Sequence, residues 1–190
     1  MKFSIIIPAH NSAGYIDNAL DSIAEQTFED YELIVVCDSC TDNTEEIAKS
    51  YGARTVAVDY HCDGPTRNKG LEMAQGDWVL FMDDDDWWLH EFVLQQLADR
   101  LDNTMDILCF SFIFRGIKYA HPYGNGGSYW VACWNKCYRR SVIEDARFSN
   151  VTDGSADVQF YSMMFNKGLR IAVWDMPMYY YNYYREGSIS

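Results

Sequence analysis

Apolar positions along this chain follow two periodicities that alternate. Residues 3–8 form a continuous apolar, β-branched run closed by Pro8, which predicts a strand buried on both faces of a parallel sheet. A turn at Asn11-Ser12-Ala13-Gly14 follows, and Ile16, Leu20 and Ile23 then recur at helical spacing through about Gln26. The alternation repeats. Residues 33–36 predict a second buried strand, and Asp42-x-x-Glu45 resembles a capping box opening the next helix. Residues 54–58 predict a third strand, and Pro65 suits the first position of a helix that ends at Gly76. The apolar run at 76–88 is the fourth strand, followed by a helix at 89–101 with Phe92, Val93 and Leu97 turned inward. Four strand-helix repeats imply an α/β fold with a Rossmann-like, mostly parallel central sheet flanked by helices.

After Asp106 the pattern changes. Residues 107–114 predict a strand, 116–120 a second, and 121–127 (His-Pro-Tyr-Gly-Asn-Gly-Gly) a flexible loop. Residues 130–138 read as extended, with Arg139-Arg140-Ser141 beginning a short helix. Val158, Tyr161, Met164 and Phe165 mark a further helix closed by Lys167-Gly168, and two last strands are expected at 169–174 and 178–184. The carboxyl half therefore reads as a mixed sheet, and the whole as one domain of 190 residues with halves at 1–105 and 106–190.

The run at 76–88 ends in four consecutive acids, Asp83 to Asp86, followed by Trp87 and Trp88. Adjacent carboxylates repel one another, and a run of them is usually just a solvated turn. Directly after a core strand they stand where open α/β sheets bind ligands, so a cation or other donors are expected to meet them. Charge sharpens this. Residues 1–100 hold 20 acids and 6 bases, and residues 101–190 hold 8 acids and 9 bases, within a net charge of −13. No basic cluster can neutralise a nucleic-acid backbone, so no nucleic-acid partner is expected. An anionic ligand in the acidic half would need a divalent cation as a bridge. With 48% hydrophobic and 16% aromatic residues, a disordered class is excluded. Six cysteines include Cys37-x-x-Cys40, but no second matched pair or close histidines point to zinc, and reduced cytoplasmic thiols are expected. The amino terminus lacks a signal-peptide pattern, and the best apolar run, at 107–114, is far short of the roughly 20 residues of a membrane-spanning helix.

Six stretches together resemble the inverting family 2 glycosyltransferases of the GT-A fold. They are Ile5-Ile6-Ile7-Pro8-Ala9-His10-Asn11; Val35-Val36-Cys37-Asp38-Ser39-Cys40-Thr41-Asp42-Asn43-Thr44; Arg67-Asn68-Lys69-Gly70-Leu71; the run 76–88; Trp134-Asn135-Lys136-Cys137-Tyr138-Arg139; and residues 179–190. The resemblance implies transfer of a sugar from a UDP-sugar donor to a carbohydrate or lipid-linked acceptor, with Mn²⁺ or Mg²⁺. It places Pro8, His10, Asn11, Asp38, Arg67, Asp83 and Asp84 at the nucleotide-sugar and Asp85 on the metal. Asp38 is matched to the uracil contact, and Arg67 to a second contact with the nucleotide. Asp84 fills the variable middle position of the D-x-D element, where replacement by Ser is expected to be mild. Asp86 and Trp134 fall on the acceptor side. Asp157, in Gly154-Ser155-Ala156-Asp157, is matched to the general base, with Asp153 as alternative. A first-turn or capping acid of the next helix is an equally ordinary role for Asp157. The implied setting is cytoplasmic, with peripheral association at the inner face of a membrane.

Three departures bear on this. Cys37, Ser39 and Cys40 stand where the family often has Asp, Gly and Ser. Ala156 replaces an acid beside the base. Many relatives also continue past the position matched by Ser190. Ala156 motivates the rival reading, a sugar-nucleotide-binding protein of the same fold impaired in transfer. A nucleotidyltransferase would need a Gly-rich, basic loop after the first strand, which Pro8-Ala9-His10-Asn11 is not. A C-x-x-C redox protein would start a helix at Cys37, which the pattern does not favour.

Overall fold

The computed structural model describes residues 1–119, 131–152 and 154–182. The loop at 121–127, Trp130, Asp153 and residues 183–190 lie outside these described residues. Strands β1 (Phe3–Ala9), β2 (Tyr31–Asp38), β3 (Arg54–Val58) and β4 (Trp78–Phe81) are parallel and lie in the order β3-β2-β1-β4. Helices α1 (Asp17–Ala24), α2 (Thr44–Ser50) and α3 (Asp63–Met73) make the crossovers. Strand β1 continues one residue past Pro8, which is paired with Val36. The ladder to β4 stops at Ile6, so the face of Pro8 that lacks an N–H points where β4 has already ended.

Beyond β4 the sheet reverses. Strand β8 (Lys136–Arg139) is antiparallel to β4 and to β6 (Ile107–Phe114), β6 is parallel to β9 (Ile171–Tyr181), and β9 is antiparallel to β5 (Trp87–Trp88). A short β7 (Ile117–Tyr119) folds back on β6. Helices α4 (Val93–Arg100), α5 (Arg140–Ile143) and α6 (Ala156–Asn166) complete the fold. Alternation along β1 separates two cores: Phe3, Ile5 and Ile7 meet α1 and α4, while Ile6 joins Val79, Phe81, Phe148, Phe160 and Met164 on the face covered by α3 and α6. Helix α3 lies close on β1 because residue 70 is glycine; a Cβ there would overlap the buried side chain of Ile6.

Several expected details differ. The run at 76–88 is not one strand: β4 ends at Phe81, the acids turn, and Trp87–Trp88 pair with Tyr180 and Tyr179. The two strands expected at the carboxyl end are one bulged strand, whose register against β6 shifts at Ser111 opposite Pro177, a residue that cannot donate to a ladder. Helix α4 starts at Val93, which leaves Phe92 at its cap and 47% exposed. On α6 the buried residues are Ala156, Phe160, Tyr161 and Met164; Val158 and Phe165 face outward, because Phe160 stacks on Phe148 at 4.0 Å and sets the rotation of the helix. Pro65 is the third residue of α3, not the first, and α3 ends at Met73. No capping box forms at α2. Asp42 instead accepts the N–H of Thr44 at 3.1 Å and of Ala13 at 3.0 Å, joining the β1 and β2 loops, while Glu45 pairs with Lys49 at 2.9 Å. All six cysteines are free thiols. No helix among the described residues is long and apolar enough to cross a membrane.

One ionic network joins three strands of the reversed half. Asp106, just before β6, accepts the N–H of Arg170 at 3.0 Å, its Nε at 2.9 Å and its guanidinium at 2.7 Å, with Arg139 of β8 at 3.6 Å lying over Trp78. These bonds from Arg170 hold the Asp106 carboxyl down, at about 2. A carboxyl depressed in the folded state stabilises above its unfolded value of about 3.9, and that contribution is lost as the pH falls towards the folded value. Urea unfolding midpoints should therefore fall between pH 4 and 2. Asp106→Asn should remove that dependence and cost about 2 kcal/mol at neutral pH.

Candidate active site

The carboxyl ends of β1, β2 and β4 open into a cavity of about 600 Å³, at the place where chain crossovers leave β1 in opposite directions. Pro8, His10, Asp38, Arg67, Asp83, Asp84, Asp85, Trp134 and Asp157 all line it. Asn11 and Asp86 do not.

At the end of β1, His10 donates from Nδ1 to the Asp38 carbonyl at 2.7 Å, which leaves Nε2 to accept the Asn11 amide at 3.3 Å. Asn11 adopts a positive φ of 49° and accepts the Thr41 N–H at 2.8 Å. It ties the β1 loop to the β2 loop and does not line the cavity. Asp38, at the end of β2, is buried and accepts the N–H groups of Tyr60 (2.7 Å), His61 (3.0 Å) and Cys62 (2.9 Å) and the Thr66 hydroxyl (2.9 Å). Burial pushes its carboxyl up, but these donors outweigh burial and hold it below the ordinary value. Asp38 thus anchors the loop that leads into α3 and fixes where Arg67 emerges one turn later.

Arg67 is 6% exposed and reaches across to Asp83 at 2.7 Å and Asp63 at 3.4 Å. Its Nε is buried with no partner among the described residues, a donor suited to an anionic ligand. Asp83 also donates its N–H to the Tyr179 hydroxyl at 3.1 Å. Burial pushes the Asp83 carboxyl up to about 7, with Asp157 and Asp85 adding to it and Arg67 opposing it. The four acids are divided differently from the expectation. Asp84 is buried and accepts the hydroxyl of Ser12 and, at 3.5 Å, the N–H of His10, so it holds the β1 loop and is not an expendable spectator. Asp86 is fully buried, accepting the Tyr179 hydroxyl at 2.6 Å and the Asn182 N–H at 2.7 Å. It ties the acidic turn to β9 and does not line the cavity. Burial, with Asp83 close by, pushes its carboxyl up.

Asp157 is the second residue of α6, behind the cap residue Ser155, and its carboxylate accepts the Cys133 N–H at 2.9 Å. It is a first-turn acid of α6 and not its cap, and it stands between α6 and the segment before β8. It lines the same cavity as Arg67 and Asp83, and its charge acts on both. Trp134 is buried in a stack between Tyr179 (4.8 Å) and Tyr181 (5.1 Å), so only part of it reaches the cavity. Trp87 lies on Tyr180 at 4.3 Å, and Trp88 is core. Sequence reasoning missed Thr66, Tyr179 and the 60–62 backbone. Only Thr66, beside Arg67, carried any local signal.

The donor set also bears on a metal. Among the described residues no three His, Cys, Asp or Glu side chains gather around one point. Asp85 with Asp83 offers carboxylate oxygens only, which fits a hard cation that takes its remaining ligands from phosphates and water.

Residues 4–169 match the pattern of Glycosyl transferase family 2. The chain belongs to that family. Among family 2 relatives, poly(ribitol-phosphate) beta-N-acetylglucosaminyltransferase TarS of Staphylococcus aureus is 28% identical over 208 residues, covering 98% of this chain and 36% of TarS. The crystal structure of TarS residues 1–349 in complex with UDP-GlcNAc superposes with a TM-score of 0.84 at 28% identity, covering 99% of this chain and 60% of that one. Glucosyl-3-phosphoglycerate synthase of Mycobacterium tuberculosis, solved with Mn²⁺, UDP and glucosyl-3-phosphoglycerate, shares the fold at a TM-score of 0.67 and 20% identity, covering 95% of this chain and 72% of that one. The mixed, helix-flanked sheet is thus the GT-A architecture of this family. The chain spans between about a third and three fifths of the TarS chains it matches.

The burial of Asp84 leads to one expectation for this family 2 site. Asp84→Ser should cost about 1–3 kcal/mol in chemical unfolding, since it strands the Ser12 hydroxyl in the interior. A loss below about 0.5 kcal/mol would return Asp84 to the surface-like role first assigned to it.

Proposed function

We propose that this domain is an inverting glycosyltransferase that moves a sugar from a UDP-sugar to a hydroxyl of a carbohydrate or lipid-linked acceptor. The observation that carries the reading is the buried Arg67 with an unpartnered Nε, set at a strand-end cavity beside Asp83, Asp85 and Asp157. A cation meets an anionic donor there, and carboxylates stand ready for a metal and for a proton. TarS bound to UDP-GlcNAc supports the donor class. Residues 1–105 form the donor half and 106–190 the acceptor half. On this reading the domain works in the cytoplasm, at the inner face of a membrane.

In the reaction, Asp157 takes the proton of the acceptor hydroxyl as its oxygen bonds to the anomeric carbon. The bond from that carbon to the diphosphate breaks on the opposite face, and its electron pair stays on the leaving phosphate oxygen. Arg67 faces the charge that develops there. Asp85, with Asp83, would hold a divalent cation, which when bound supplies further charge stabilisation to the departing UDP. Asp38, through the 60–62 backbone, shapes the side of the cavity where the base would lie.

The second reading, a donor-binding protein impaired in transfer, rests on Ala156. That side chain lines the cavity beside Asp157, at the position where the resemblance implies a second acid. Titrating UDP calorimetrically with and without Mn²⁺ tests the donor and metal assignments. Mn²⁺ should tighten UDP by about tenfold or more, and Asp85→Ala should abolish that gain. Equal affinity with and without metal would refute the metal assignment. Asp157→Asn should lower turnover of a UDP-sugar by about 10²–10⁴ with UDP affinity unchanged. Binding without any turnover in the wild type would favour the second reading.

A further inference from the structure

Lys136 opens β8 with a side chain that is 0% exposed. A buried ammonium is costly, and an apolar residue of the same volume would usually stabilise the fold better. Here every direction of the charge is met. Nζ donates to the Ala132 carbonyl at 2.6 Å and to Asn135 Oδ1 at 2.6 Å, and the Tyr161 ring lies 5.2 Å from it. These contacts converge on Asp157. Ala132 and Asn135 bracket Cys133, whose N–H holds the Asp157 carboxylate at 2.9 Å. Tyr161 lies four residues after Asp157 on α6, on the same face of the helix. One ammonium therefore braces both supports of that carboxylate.

The charges around Asp157 explain why a cation is kept there. Arg67, Asp83, Cys133, Lys136 and Tyr138 are among the groups whose titration feels it. Arg67 is shared with Asp83 and Asp63, and a bound diphosphate would compete for it as well. Lys136 approaches from the protein interior, where no substrate can draw it away.

We propose that Lys136 is a positioning residue for the general base: its ammonium locks residues 132–135 and α6 around Asp157 and so holds that carboxylate in place when the donor is bound. The proposal rests on the reading of Asp157 as the base. Burial draws the ammonium below its ordinary pKa, and Asp157 is among the groups that oppose this.

The test compares Lys136→Met, Lys136→Gln and Asp157→Asn. It reads UDP affinity by calorimetry and the split between kcat and KM for a UDP-sugar. Lys136→Met should leave UDP affinity within about twofold and lower kcat roughly tenfold or more. If Lys136→Met does not fold, Lys136→Gln keeps a donor to the Ala132 carbonyl without the charge and should lower kcat likewise. A kcat within about twofold of wild type in the folded variant overturns the proposal. So does a loss confined to UDP affinity. Asp157→Asn separates the two levels. If it retains wild-type kcat, the base assignment fails; if it is inactive while the Lys136 variants match wild type, only the role of Lys136 fails.

Discussion

The site depends on one buried ion: the guanidinium of Arg67 among the carboxylates of Asp83, Asp63 and Asp157. A charge 6% exposed in a protein interior persists only where its surroundings are built for it. The fold supplies that in steps. Gly70 lets α3 lie flat on β1, Asp38 gathers the backbone that leads into the helix, and the turn after β4 brings Asp83 to within 2.7 Å. Without Gly70 the helix would lift away, and without Asp38 its first turn would lack an anchor. The Nε of Arg67 then remains buried without a partner among the described residues.

The reversal of the sheet at β8 supplies the other wall. Parallel strands deliver all their carboxyl ends to one edge, and antiparallel β8 sends its opening segment to the same edge. Residues 131–135 therefore face the acids of β4, and α6 brings Asp157 into the gap. The aromatic stack of Tyr179, Trp134 and Tyr181 fills the space behind. Asp86 and Tyr179 join the two halves directly, a hydrogen bond of 2.6 Å in the core between the acidic turn and β9. The two halves also share one sheet and both hydrophobic cores, so this polar seam lies within continuous packing.

Much of this was legible in the sequence where the signal is local. Runs at 3–8 and 33–36 are strands because both faces of a parallel sheet demand apolar residues, whereas 54–58 is an edge strand whose residues are exposed or half-buried. Helical spacing placed α1 correctly, since Ile16, Leu20 and Ile23 all face the core. The same spacing misplaced Phe92, Val158 and Phe165, because apolar residues at a helix end or on an outer face carry the same letter as core residues. Asp42 and Glu45 had the spacing of a capping box, yet Asp42 binds Thr44 and the distant Ala13, and Glu45 binds Lys49 one turn along the helix.

The acidic run shows the division most clearly. By itself the sequence determined that four carboxylates follow a core strand, and that a ligand or a cation belongs near them. Adjacent acids differ in role only through what surrounds them, and that was decided by tertiary structure. Asp84 turned inward to Ser12, Asp86 to Tyr179 and Asn182, and Asp83 to Arg67. These partners lie between 16 and 96 residues away along the chain, beyond the reach of any local pattern. Strand and helix are written in nearest neighbours, but the charge state and direction of a carboxylate are set by the groups that folding brings against it.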